Sequence, residues 1–307
     1  MIEKFELFLE KQNLSCVKKE ISMKSLTTIK CGGKADYLIE PDNYDELSKI
    51  FKFICGNNIL YQILGNGSNV LVSDLGFPGV VISLKNLPYL IELHEGKLSV
   101  AAHIELAHLQ KKCIFEGLSG LEFLSGIPGT VGGIIAMNAG AFGHDVSSVI
   151  DSIKTVTHEG KIINLRDENI EFSYRKTKLP YEQYIISEGT FNVQKTNMQK
   201  VKELCDFYIS QRKSTNLWRA MTFGSTFKNG EDYYAGELIE KCGLKGFSIG
   251  DAQISKSHAN FIINNGNASS KEVYLLIQKM KDEVLEKFGK NLELEVKLWG
   301  DFSYEGK

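Results

Sequence analysis

Apolar positions along the chain switch repeatedly between helical and strand spacing. After Pro41, Leu47, Ile50, Phe51 and Ile54 recur at i, i+3, i+4 and i+7, one face of a helix. Tyr61 to Leu64 and Val70 to Val72 read as short strands on either side of Gly65-Asn66-Gly67-Ser68-Asn69, and Gly79 to Leu84 as a third. Leu106, Leu109 and Cys113 predict a helix that ends before Gly117. Ile150 to Val156 and Lys161 to Leu165 predict strands joined by a hairpin turn at His158-Glu159-Gly160. Met198, Val201, Cys205 and Tyr208 mark a further helix. Ala235, Leu238, Ile239 and Cys242 share one helical face, with Gly243 as the C-terminal stop. Ser269-Ser270-Lys271-Glu272 is a capping box. The helix it opens turns Val273, Leu276, Ile277, Met280 and Val284 inward and ends at Gly289; Leu292 to Leu298 then alternates as a strand.

This alternation predicts an α+β or α/β construction. At 307 residues, two or three domains are expected. The polar stretch Gln211 to Asn216 reads as a linker, and the domain boundary is expected near residues 195–212.

Charge narrows the function classes. Thirty-six Lys and Arg against 38 Asp and Glu give a net charge of −2, so no basic field invites nucleic acid. No apolar run reaches the ~18 residues a membrane span needs. The start, Met1-Ile2-Glu3-Lys4-Phe5-Glu6, lacks the apolar centre of a signal peptide. Cys16, Cys31, Cys55, Cys113, Cys205 and Cys242 form no C-x-x-C pair and read as reduced thiols of a cytoplasmic protein. The six histidines form no H-x-x-x-H pair, and no zinc site is expected.

Glycine is the outlier, 28 residues against 5 prolines, clustered at 65–79, 117–143 and 224–250. Gly65-Asn66-Gly67-Ser68-Asn69 has no Walker lysine, and strand rather than helix follows it, against a Rossmann fingerprint. A plain turn and an anion-binding nest of backbone N–H groups both remain open for this segment. The second cluster runs Gly126-Ile127-Pro128-Gly129-Thr130-Val131-Gly132-Gly133 and then Asn138-Ala139-Gly140-Ala141-Phe142-Gly143. Glycine costs ~1 kcal/mol per site inside a helix. Two such loops therefore suggest backbone brought close to an extended ligand, and a dinucleotide fits.

At these residues the chain resembles the UDP-N-acetylenolpyruvoylglucosamine reductases, flavoproteins of the vanillyl-alcohol-oxidase-like superfamily. Gly65-Asn66-Gly67-Ser68-Asn69, GIPGTVGG and MNAG resemble its FAD-binding segments. Thr27-Thr28 with Gly32-Gly33, Phe172-Ser173-Tyr174-Arg175 and Gly224-Ser225-Thr226-Phe227-Lys228-Asn229 match further elements. So do Ala235-Gly236-Glu237-Leu238-Ile239, Gly243-Leu244-Lys245-Gly246, the segment from Ser255 to Asn264 and Leu292 to Val296, all in order. The short spacing from Asn229 to Ala235 resembles the family's shorter type, without an inserted substrate-capping segment. Departures are Gly230 in place of Pro, Asn216-Leu217-Trp218 where Gln-Pro is usual, Phe142 for Tyr, and Ala102 or Asp251 for Gly.

The resemblance implies an α+β fold: an FAD-binding region over 1–195 in two lobes split near 85–90, then an α+β substrate domain over 205–302. It implies a cytoplasmic enzyme of peptidoglycan precursor synthesis. NADPH would reduce FAD, and the enolpyruvyl group of a UDP-sugar would take the hydride at C3. Ser225 resembles the proton donor to C2, Arg175 the stabiliser of enolate charge, and Glu295 a second stabiliser, its pKa raised near flavin and substrate carboxylate. Gly65, Asn66, Gly67, Ser68, Asn69, Gly126, Gly129, Thr130, Gly132, Gly133, Asn138 and Gly140 would hold FAD. Asn229, Lys245 and His258 would meet substrate polar groups. Residues 65–69 and 126–133 contain neither His nor Cys, so the FAD is expected to be non-covalent. With no second nucleotide fold, NADPH and the UDP-sugar are expected to take turns, giving ping-pong kinetics. The alternatives are another FAD oxidoreductase of the superfamily and a flavin-binding regulator without turnover.

Overall fold

Two hydrophobic cores divide the chain. The computed structural model describes residues 2–12, 17–180, 182–213, 217 and 219–304. Cys16, Asn216 and Trp218 lie outside the described residues, as do residues 214 and 215 of the polar stretch 211–216. One unit comprises residues 1–19, 37–66 and 79–211; the other comprises 20–36, 67–78 and 212–307. The helices among the described residues are, in chain order, α1 (Ile2–Gln12), α2 (Tyr44–Gly56), α3 (Leu106–Glu116), α4 (Val131–Ala136), α5 (Met198–Lys213), α6 (Ala235–Lys241) and α7 (Ser270–Phe288).

The first unit is built on a five-stranded antiparallel sheet. Its order is Ile162–Arg166, Ile150–Thr157, Tyr184–Asn192, Lys97–Ala101 and Ile91–His94. The turn at 158–160 closes with Gly160 N–H on the Thr157 carbonyl at 2.8 Å, as the sequence predicts. Helix α2 starts where Asn43 Oδ1 accepts the Glu46 N–H at 2.9 Å, and it buries Leu47, Ile50, Phe51 and Ile54, the four its spacing picked out. It packs on Ile150–Thr157, and α4 packs on Tyr184–Asn192. That central strand, covered on both faces, is buried along most of its length. Tyr61–Leu64 runs parallel to Phe77–Ser83, with Leu64 opposite Ser83, so it ends at the glycine loop.

The second unit centres on α7. Both bonds of the Ser269–Glu272 capping box form, Gly289 ends the helix at φ 65°, and the buried face is the one the pattern predicts. α7 packs on a small sheet of Ser248–Ile249, Ala252–Ile254 and Ile262–Asn264, and on α6. Lys297–Trp299 pairs in parallel with Val70–Val72, Lys297 opposite Val70. The strand expected over 292–298 is therefore shorter. Its first part engages residues 226–228 instead, through Lys228 N–H to Glu293 O at 2.9 Å and a bridge between Phe227 and Leu294.

Candidate active site

In the first unit a cavity of about 170 Å³ opens among residues 63–65, 83–85, 102–103, 130, 132–133, 136 and 184–186. Seven of the residues expected to hold FAD belong to this unit's glycine cluster, and Thr130, Gly132 and Gly133 line the cavity together with Gly65. Thr130 Oγ1 accepts the Gly133 N–H at 3.3 Å, capping α4. A Cβ on Gly65 would stand 2.6 Å from that same oxygen, so only glycine lets the loop approach so closely. The walls are mainly apolar, with a few hydrogen-bonding groups among them. His103 contributes a buried Nδ1 with no partner. Burial lowers its pKa below 6.5, which favours the neutral ring. An apolar slot with an unsatisfied polar edge, floored by glycine backbone, fits a flat heteroaromatic dinucleotide such as FAD.

Beyond α4, Asn138 stands at φ 39° and is buried. Its Oδ1 accepts the Ser147 N–H at 3.0 Å, and its Nδ2 donates to the Ser173 carbonyl at 3.2 Å. Asn138 thus ties the glycine cluster to the hairpin of Glu171–Ser173 and Lys176–Lys178. Arg175 sits at the tip of that hairpin with φ 57°, a strained backbone for a non-glycine residue. Its guanidinium lies over the Tyr174 ring at 4.9 Å, and Nη1 donates to the Gly140 carbonyl at 3.3 Å. The half-buried head is thereby aimed by the loop assigned to FAD.

Ser225 and Glu295 lie on neighbouring segments of the second unit. Ser225 bridges to Phe261. The next residue, buried Thr226, donates its N–H to the Asn260 carbonyl at 2.8 Å and accepts the Glu295 N–H at 2.9 Å. Glu295 therefore lies one hydrogen-bonded step across from Ser225, and both are half-buried. Of the loop 65–69, residues 67–69 belong to this unit. Asn69 spends its side-chain amide on the Glu295 carbonyl at 3.2 Å, and its own carbonyl accepts the Lys297 N–H at 3.0 Å. Gly67 at φ 62° accepts the Thr28 N–H at 3.0 Å, while Thr28 Oγ1 donates to the Thr222 carbonyl at 2.6 Å. A Cβ on Gly67 would stand 2.1 Å from the Leu26 carbonyl oxygen. The strands on either side of the loop do not pair with each other: Tyr61–Leu64 pairs with Phe77–Ser83, and Val70–Val72 with Lys297–Trp299.

Lys245 and His258 are neighbours in the second unit. Burial first, then the Lys245 ammonium, lowers the His258 pKa below 6.5. His258 Nδ1 accepts the Asn260 N–H at 3.3 Å, which requires that nitrogen to be unprotonated. Lys245 pairs with Glu240 at 2.7 Å. Asn229 is exposed, and its Oδ1 accepts the Ala235 N–H at 3.1 Å at the start of α6. Sequence reasoning missed His103 and Asn260. A histidine inside the apolar run Val100-Ala101-Ala102-His103-Ile104 was the available signal for the first. The second lies inside the matched segment from Ser255 to Asn264, which was the signal available for it.

Comparison with known proteins identifies the family and the fold. An FAD-binding domain family matches residues 35–166. The C-terminal domain family of UDP-N-acetylenolpyruvoylglucosamine reductase matches residues 216–299. UDP-N-acetylenolpyruvoylglucosamine reductase of Clostridium novyi is 39% identical over 98% of this chain and 97% of its own length. That of Clostridioides difficile is 37% identical over 93% of this chain and 94% of its own. The crystal structure of the Thermus caldophilus reductase superposes with a TM-score of 0.79 at 32% identity, covering 92% of this chain and 99% of that one. By sequence over nearly its whole length, by both domain matches and by fold, the chain belongs to the UDP-N-acetylenolpyruvoylglucosamine reductase family.

Proposed function

We propose that Ser225, Arg175 and Glu295 carry the reduction that this family performs. The chain is an FAD-dependent oxidoreductase that uses NADPH to reduce the enolpyruvyl group of UDP-N-acetylglucosamine enolpyruvate, giving UDP-N-acetylmuramate for peptidoglycan synthesis. When bound, FAD supplies two-electron chemistry, taking hydride from NADPH and delivering it to the enol ether. Ser225 then donates its hydroxyl proton to C2 of the substrate, where negative charge has built up beside the carboxylate. Arg175 offers fixed N–H donors to that charge, and Glu295 supports it as a hydrogen-bonding carboxyl group. The observation that carries this reading is the 2.9 Å bond from Glu295 N–H to Thr226 O, which holds the carboxyl and hydroxyl residues on adjacent segments.

FAD is assigned to the region 1–195 and substrate to 205–302, a division supported by the matches at 35–166 and 216–299. The cofactor is bound without a covalent link, and NADPH and the UDP-sugar use one site in turn. Lys245 exchanges Glu240 for a substrate phosphate, a role suited to an ammonium point charge. His258 and Asn229 meet other polar groups of the sugar nucleotide. No described helix is long and apolar enough to cross a membrane, and no described cysteine is in a disulfide, which suits a cytoplasmic enzyme.

Ser225→Ala tests the assignment. NADPH should still bleach the flavin, while its reoxidation by the enolpyruvyl sugar falls by about 10²–10⁴-fold. Equal loss of both half-reactions would sink it.

A further inference from the structure

We infer that His103 binds the nucleoside end of FAD, its Nε2–H donating to a ring nitrogen or ribose oxygen seated in the cavity of the first unit. The inference rests on the FAD reading above and adds a residue to it. The His103 ring lines the cavity, and its Nδ1 is buried without a partner. A buried N–H left unpaired is rarer in proteins than a buried unpaired acceptor. The tautomer that buries the bare Nδ1 and carries the proton on Nε2 is therefore favoured. Burial also keeps the ring neutral. A neutral donor in an apolar slot selects an uncharged acceptor.

Three other polar groups in the wall already have partners within the protein. Lys85 stands 2.5 Å from Glu40, a carboxylate it shares with Lys18 at 2.8 Å. Thr130 Oγ1 is engaged with the Gly133 N–H, and Tyr184 O–H donates to the Thr177 carbonyl at 3.4 Å. The nucleoside is the uncharged heteroaromatic part of FAD that can be buried away from reacting atoms. Beside the hydroxyls of Ser83 and Thr130, His103 is the neutral ring nitrogen donor of this wall.

The test is titration of FAD into the full-length apoprotein, followed by flavin fluorescence, for wild type, His103→Phe, His103→Ala and His103→Asn. ADP serves as the probe for the nucleoside end, and FMN, which lacks it, as the control. The Phe and Ala variants should bind FAD at least 10-fold more weakly, and ADP should compete with FAD less well by a similar factor. Asn, which keeps a side-chain N–H, should recover binding to within about 3-fold. FMN affinity should not change. Two variants without the donor keep the test open if one fails to fold. The inference is overturned if Phe and Ala both match wild type, if ADP does not compete in wild type, or if FMN weakens in parallel. A wild-type protein that takes no FAD at all would instead overturn the parent reading.

Discussion

Asn260 holds Phe227 on both sides of its backbone: Nδ2 donates to the Phe227 carbonyl at 2.8 Å, and Oδ1 accepts the Phe227 N–H at 3.0 Å. Its own carbonyl takes the Thr226 N–H at 2.8 Å, so one buried residue fixes the segment that follows Ser225. Asn260→Ala leaves two buried backbone groups unpaired, each worth about 1–3 kcal/mol. The expected result is a loss of about 2–4 kcal/mol in denaturant unfolding. Asn260→Asp should also be destabilised, because a carboxylate oxygen faces the Phe227 carbonyl where an amide N–H had donated. In protein that remains folded, reoxidation by substrate should slow at least 10-fold while bleaching by NADPH persists. A wild-type rate would show that Ser225 is positioned without this clamp.

Arg175 takes a backbone conformation that costs energy, and its Nη1 is anchored on Gly140. Lysine keeps the charge but loses the planar fork. Arg175→Lys should therefore lower the rate of substrate-dependent reoxidation by about 10–100-fold at unchanged FAD affinity. Stopped-flow measurement of the two half-reactions checks this. An undiminished rate would remove Arg175 from the chemistry.

Gly65 and Thr130 meet where FAD is assigned. Gly65→Ala puts a methyl 2.6 Å from Thr130 Oγ1 and should weaken FAD binding. Thr130→Ala alone should cost about 0.5–2 kcal/mol through the lost α4 cap. The double variant should bind FAD better than Gly65→Ala alone, because the obstructing oxygen is gone. A strictly additive double variant would show that the contact is not what excludes a side chain at position 65.

Histidine burial sets an acid limit on stability. His103 and His258 both titrate below 6.5 in the folded chain, whereas the unfolded chain takes up their protons at the ordinary value. Their contribution is fully present above about pH 6.5 and is lost as pH falls through that value toward the lowered folded ones. At His258 a proton on Nδ1 also ends the bond from Asn260 N–H. Unfolding midpoints of the apoprotein should decline between pH 7 and 5, and His258→Gln should flatten part of that decline. A midpoint insensitive to pH across this range would contradict the burial argument.

The Asp74 carboxylate accepts the Ser270 and Lys271 N–H groups at 2.9 and 2.8 Å, in the first turn of α7. Ser269 caps the same turn by accepting the Glu272 N–H at 3.1 Å. Asp74→Ala should cost about 1–2 kcal/mol, and Asp74→Asn less, since one acceptor oxygen survives. Added salt should shrink the gap between Asp and Asn if the helix dipole contributes. Equal stability of all three would show that Ser269 alone satisfies the helix start.

The sequence by itself determined what is settled within a few residues. The buried stripes of α2 and α7, the Ser269–Glu272 box, the Gly289 stop and the turn at 158–160 follow from side-chain spacing, capping oxygens and glycine's backbone freedom. Each acts across one or two turns of chain, so the pattern is written locally. The identity of the reaction was legible too, through motifs spread over most of the chain. Tertiary structure decided the pairings. Val70–Val72 selects Lys297–Trp299, and segments 20–36 and 67–78 join the unit that contains 212–307. Asn260 reaches back to Phe227, and His103 becomes a cavity wall. A three-residue apolar strand suits many partners, and a buried amide or imidazole has no periodicity. Which backbone groups they satisfy depends on how distant segments close around one core, and no local spacing encodes that.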